Sequence, residues 1–171
     1  MDRQHLFLIG FMGVGKSTVA RVLCERLGLP LIETDARIEA AQGMTITELF
    51  RRSGEACFRD LETALLQDLS REAPAVVSCG GGIVLRPGNV RRMKESGSIL
   101  LLTASPEHIL RRVSGNTTRP ILNGNMNLDH IRALMERRMP AYLAAADLRI
   151  STDGKPVAEI VSEILSALSP L

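Results

Sequence analysis

The sequence predicts an α/β fold, with a mainly parallel sheet of about five strands covered by helices on both faces. Three observations carry that prediction. Short apolar runs alternate with longer segments of helical periodicity along the chain; one early strand-to-helix junction is a glycine loop; and 45% hydrophobic residues in 171 suffice for one sizeable core. One domain over residues 1–171 is expected, with a loop at about 115–126 that reads as a lid and a helical region at about 36–73.

The first apolar run, Leu6-Phe7-Leu8-Ile9, reads as a buried strand. It empties into Gly10-Phe11-Met12-Gly13-Val14-Gly15-Lys16-Ser17-Thr18, which fits G-x-x-x-x-G-K-[ST] at every fixed position. Successive backbone N–H groups can wrap a triphosphate only where φ is free and no Cβ intervenes, which Gly10, Gly13 and Gly15 allow. The helix that follows, over 18–27 with Val19, Val22, Leu23 and Leu27 on one face, points its N-terminal dipole at the anion. Lys16 is placed to reach the β- and γ-phosphates and Ser17 to put its hydroxyl on Mg²⁺.

Gly28-Leu29-Pro30 ends that helix, and Leu31-Ile32 is a brief strand delivering Glu33-Thr34-Asp35 to its carboxyl end, where open α/β sheets bind ligands. Residues 36–73 read as up to three helices broken at Gly43 and Gly54, with Thr45-Ile46-Thr47-Glu48 resembling a capping box. Arg59 and Glu62 are spaced i,i+3 and can pair, which would stiffen the arginine for a bidentate grip on a carboxylate.

Ala75-Val76-Val77-Ser78-Cys79 is the next strand, and Gly80-Gly81-Gly82 after it reads as a place where backbone approaches a ligand. Many phosphate-loop proteins end this strand in a carboxylate that helps hold Mg²⁺; Ser78 and Cys79 stand there instead, so an acid must come from Glu33 or Asp35. A helix is expected over 86–97, a strand at Ile99-Leu100-Leu101-Leu102, and a helix after Ser105-Pro106 carrying Arg111 and Arg112. The Gly- and Asn-rich stretch 115–125, with Arg119 beside Pro120, reads as a mobile lid whose arginine could reach the phosphates. A helix over 128–146, kinked or ended near Pro140, a strand at Leu148-Arg149-Ile150, a turn at Asp153-Gly154-Lys155-Pro156 and an amphipathic helix over 157–168 complete the chain.

Net charge is only +2 and the 21 basic residues are scattered, so neither a nucleic-acid stripe nor a polybasic membrane segment is present. Small anionic ligands fit better than polymers. Cys24, Cys57 and Cys79 show no C-x-x-C spacing, and no apolar run approaches the ~18 residues of a membrane span. A cytoplasmic monomer is expected.

Taken together, the phosphate loop, Glu33-Thr34-Asp35, Gly54-Glu55 with Phe58-Arg59 and Glu62, Gly80-Gly81-Gly82, Asn116-Thr117-Thr118-Arg119-Pro120 and Arg138-Met139-Pro140-Ala141-Tyr142 make the chain resemble the shikimate kinases over essentially its whole length. The resemblance implies a P-loop kinase fold and transfer of the ATP γ-phosphoryl group, with Mg²⁺, to the 3-hydroxyl of shikimate. It implies Lys16, Asp35 and Arg119 as catalytic residues, Asp35 also binding the substrate hydroxyls as candidate base. Arg59 and Arg138 match the arginines on the shikimate carboxylate, with Gly80, Gly81 and Gly82 at the substrate and Phe50 and Phe58 as its aromatic wall. Gly13, Val14, Gly15, Lys16, Ser17 and Thr18 would cradle the nucleotide, Arg119 would close on its phosphates, and Arg112 and Lys155 would lie on the nucleotide side. Ser17 and Glu33 would serve the metal, although the family usually carries Asp where Glu33 stands, so its extra methylene could alter that bridge.

Two rival readings keep their place at this point. Arg59 and Arg138 could grip a phosphate, as in a nucleotide monophosphate kinase or another small-molecule kinase of the same architecture. A non-catalytic, nucleotide-gated module is the other, against which Lys16, Ser17, Asp35 and Arg119 are all present; a guanine switch lacks its Asn-Lys-x-Asp motif.

Overall fold

The computed structural model describes residues 4–114 and 127–168. Five parallel strands are ordered β2-β3-β1-β4-β5: β1 His5–Ile9, β2 Leu31–Glu33, β3 Val76–Ser78, β4 Gly97–Thr103 and β5 Leu148–Ser151. Around them lie α1 Lys16–Leu27, α2 Thr34–Gln42, α3 Ile46–Leu69, α4 Pro87–Ser96, α5 Pro106–Val113, α6 Leu128–Ala145 and α7 Val157–Leu168. Every residue of β1 is buried, as a central parallel strand covered on both faces requires. From β1 the chain crosses to β2, returns to β3 beside β1, then passes to β4 on the other side. That reversal opens a crevice beyond the carboxyl end of β1, where the glycine loop lies.

Local signals account for most boundaries. Gly28 and Gly43 close α1 and α2 in the left-handed conformation, and the Thr45 side chain accepts a hydrogen bond from Glu48 N. The capping box is only half made, because the Glu48 carboxylate is taken by Arg51 and Arg52. At Gly54 (φ 77°, ψ 174°) the backbone of α3 breaks its helical course.

Three expectations are corrected. The helix expected over 86–97 begins at Pro87 after a 3₁₀ turn, Ile83–Leu85, and Gly97 opens β4 instead of capping the helix. Gly97 pairs with His5 of β1, whose carbonyl lies where a Cβ would stand. Pro140 neither ends nor interrupts α6, because Arg138, Tyr142 and Ala145 are buried on both sides of it and packing outweighs the lost hydrogen bond. Leu27, spaced to share a face with Val19 and Leu23, is 38% exposed where those two are buried.

The main core joins the sheet to α1, α7, α4 and α6. A second, smaller cluster of Ile38, Leu49 and Phe58, with Met44, Ile46, Phe50 and Cys57 packed on it, belongs to α2 and α3. The carboxyl end of α3 is fixed to the sheet by buried His5, whose Nε2 donates to Leu69 O (2.8 Å) while its Nδ1 accepts from Ala75 N (3.1 Å).

Candidate active site

The glycine loop closes on itself through Lys16. Its Nζ, nearly buried, donates to Gly10 O (2.8 Å) and Phe11 O (3.0 Å), so the ammonium lies inside the ring of loop carbonyls. Gly15 (φ 103°) caps α1, leaving the N-terminus of a twelve-residue helix aimed into the crevice. Arg112 crosses from α5 to donate to Val14 O (2.9 Å), its guanidinium filling the space a Gly15 Cβ would need. Ser17 Oγ lies 3.4 Å from Ser78 Oγ, so the residue that ends β3 in place of an acid contributes a hydroxyl beside the one expected on the metal.

Opposite the loop, α2, α3 and α6 converge on the glycine triplet. Thr34, fully buried, accepts from Gly80 N (2.9 Å) and fixes the start of α2, with Asp35 next to it, against the triplet. A Cβ on Gly80 would stand 2.7 Å from Asp35 Oδ1 and 2.9 Å from Glu62 Oε1, and one on Gly82 would collide with the Arg59 guanidinium. The space beside the α-carbons of Gly80 and Gly82 is thus taken by the site's own charged side chains, while the backbone of the triplet lines the cleft.

Arg59 is held by Glu62 (2.7 Å) and Glu55 (2.9 Å), and it lies over the Phe58 ring at 5.2 Å. Glu62 is completely buried, and burial pushes its carboxyl up to about 7 from 4.5, against the pull of Arg59 and with Asp35 adding to the rise. This is no surface i,i+3 pair. Arg138 is 5% exposed, stands over the Phe11 ring at 5.9 Å, and its Nη1 has no hydrogen-bond partner among the described residues. Burial drives the Cys79 thiol well above its usual range, so the thiol beside the site stays protonated.

One cleft of about 990 Å³ joins these parts. Gly13, Val14, Gly15, Lys16, Ser17, Thr18 and Arg112 line it together with Glu33, Asp35, Phe58, Arg59, Gly80, Gly81, Gly82 and Arg138, and Phe50 is tilted against Phe58 at 5.2 Å. Lys155 is not among the lining residues; its ammonium pairs with Glu163 (2.7 Å). Arg119 and the expected lid lie outside the described residues. Sequence reasoning gave no role to Thr34, Tyr142 or Thr152. Tyr142 Oη donates to Gly81 O, and Thr152, buried, donates to Thr103 O (3.1 Å) beneath Val14. Their only signal is position: inside a motif for the first two, just after β5 for the third.

The donor set around Ser17 is all oxygen: hydroxyls of Ser17 and Ser78, with the carboxylates of Glu33 and Asp35 in the same cleft. Among the described residues no three His, Cys, Asp or Glu side chains cluster as a cage. Hard oxygen donors too few for a cage fit Mg²⁺, which takes one or two protein ligands and completes its shell with water and phosphate.

A family model described as shikimate kinase matches residues 12–169. The chain belongs to the shikimate kinase family. It is 42% identical to a shikimate kinase of Dehalococcoides mccartyi over 95% of this chain and 92% of that one, and 45% identical to one of Geobacter sulfurreducens over 95% and 90%. Among solved structures, shikimate kinase from Acinetobacter baumannii, in complex with shikimate, superposes with a TM-score of 0.92 at 32% identity, covering 96% of this chain and 92% of that one. As a shikimate kinase the protein is an ATP-dependent phosphotransferase on the five-stranded parallel sheet expected of it. Among the described residues no helix is long and apolar enough to cross a membrane.

Proposed function

We propose that this chain transfers the γ-phosphoryl group of ATP to the 3-hydroxyl of shikimate, giving shikimate 3-phosphate and ADP. One observation supports this assignment of roles: a single cleft is lined together by the phosphate loop, by two buried arginines, Arg59 and Arg138, and by Asp35. Phosphoryl transfer asks chiefly for in-line positioning and neutralised oxygen charge.

The acceptor carboxylate is gripped by Arg59 and Arg138, its ring lies against Phe50 and Phe58, and Asp35 orients the attacking hydroxyl. The hydroxyl oxygen bonds to the γ-phosphorus as the bridge to the β-phosphate breaks, and its proton passes to an Asp35 oxygen. Lys16, released from Gly10 and Phe11 carbonyls, stabilises the charge moving onto the β–γ bridge, and Arg119 assists. Ser17, with Glu33, would hold Mg²⁺, which supplies charge neutralisation on the phosphates when bound. The unpaired, described cysteines suit a reducing cytoplasm.

The test is ADP release coupled to shikimate addition, with and without Mg²⁺, and with quinate and gluconate as comparison acceptors. Turnover is expected only with shikimate and metal together. Equal turnover on the other acceptors would overturn the reading.

A further inference from the structure

We infer that Tyr142 is a positioning residue of the acceptor site: its hydroxyl holds the Gly81 carbonyl, and so sets Arg138 and the phosphate loop at a fixed separation across the glycine triplet. This rests on the reading of Arg138 as a grip on the acceptor carboxylate.

Gly81 is where three parts of the molecule meet. A Cβ there would lie 3.5 Å from both Gly10 O and Met12 N of the phosphate loop and 3.6 Å from Arg138 Nη1 of α6. Tyr142 is one helical turn beyond Arg138, on the same face of α6, and only 1% exposed. Its hydroxyl reaches 61 residues back along the chain to Gly81 O. α6 therefore presents to the triplet a neutral hook and a cation four residues apart.

The phenol keeps its proton. Burial pushes its pKa up, and the opposing pull of the nearby Arg138 guanidinium does not cancel the rise. A benzyl group alone would fill the core equally well, so the packing of the ring leaves the hydroxyl unexplained. What the hydroxyl adds is a bond to a carbonyl at the junction of donor and acceptor. Without it that buried carbonyl loses its partner, and Gly81 is free to shift against an arginine whose Nη1 lacks any hydrogen-bond partner among the described residues.

Two measurements test the inference. In the first, Tyr142→Phe, Arg138→Ala and the double variant are compared with the parent for the KM of shikimate, the KM of ATP, kcat and thermal midpoint. Tyr142→Phe is expected to raise the shikimate KM roughly tenfold, from one lost buried hydrogen bond. The ATP KM should stay within about twofold, and most of the effect should vanish when Arg138 is already alanine. Unchanged KM values, parallel rises in both, or a full effect persisting without Arg138 would each overturn the role. If Arg138→Ala itself leaves the shikimate KM unchanged, the acceptor-site reading fails and this inference with it; if only Tyr142→Phe is silent, the inference fails alone.

The second measurement needs no variant. The chain has one tyrosine and no tryptophan, so its ultraviolet emission reports Tyr142 alone. Shikimate titrated into the native protein should change that emission with a midpoint near its KM; emission indifferent to saturating shikimate would count against the coupling.

Discussion

The phosphate loop, the proposed donor side of the cleft, is backbone that the sheet fixes, whereas the proposed acceptor side is made of side chains that three helices bring together. The phosphate loop runs between β1 and α1, both rooted in the main core. Across the cleft, Asp35, Arg59 and Phe58 stand on α2 and α3, which share a separate small cluster whose buried members among the described residues are Ile38, Leu49 and Phe58, while Leu66 and Leu69 at the far end of α3 join the main core. Backbone can be specified by a nine-residue motif because the chemistry dictates local conformation. A constellation of side chains depends on packing between distant segments, and so can be perturbed on its own.

That independence sets the order of expected effects. Asp35→Asn keeps the shape of the acceptor end and removes its proton acceptor, so kcat should fall about 10²- to 10⁴-fold while ATP affinity, measured by equilibrium titration, holds; near-normal turnover would deny Asp35 the role of base. Arg59→Ala should raise the shikimate KM roughly 10- to 100-fold through the loss of charge-assisted hydrogen bonds, with little change in the KM for ATP. Equal rises in both would dissolve the distinction between the two ends.

Smaller effects probe the acceptor end's own framework. Gly54→Ala meets no atom within 4 Å, so its cost is the backbone alone, about 1–3 kcal/mol for a side chain at that φ and ψ. The thermal midpoint should drop by a few degrees and shikimate affinity should weaken, again without loss of ATP binding. An unchanged midpoint would show that α3 adapts at no cost.

A last effect, on stability alone, concerns pH. Because the Glu62 carboxyl is raised from 4.5 to about 7, the folded protein keeps a proton there that the unfolded chain has already lost. Its stabilising contribution is complete below about pH 4.5 and disappears as pH rises through 7. Glu62→Gln cannot ionise, so the parent's thermal midpoint relative to this variant should be higher at pH 5 than at pH 8; a constant difference would contradict the shift.

What the sequence revealed follows the same division. Residues 10–18, the strand–helix alternation and the acids after β2 were readable because each is a local pattern with a chemical reason. The Arg59–Glu62 spacing was readable too, but not its burial, which depends on a glycine triplet some twenty residues on and on Asp35 from another helix. Thr34 donating no signal of its own, Ser78 facing Ser17, and Tyr142 reaching Gly81 are contacts between segments that periodicity cannot relate. Gly80 and Gly82 were recognised as places of close approach, yet only the fold tells that protein side chains are what approach.

The break at Gly54 divides α3 unequally. His5 ties the far end of the helix to the sheet, and Arg59 and Glu62 stand on that tied side, whereas Phe50 stands beyond the break. Any bend at Gly54 therefore moves Phe50 against Phe58 and leaves Phe58, Arg59 and Glu62 where they are. The entropy lost when an acceptor is captured would then fall on Phe50 and its turn of helix, while Arg59, the proposed grip on a carboxylate, has been ordered in advance by folding.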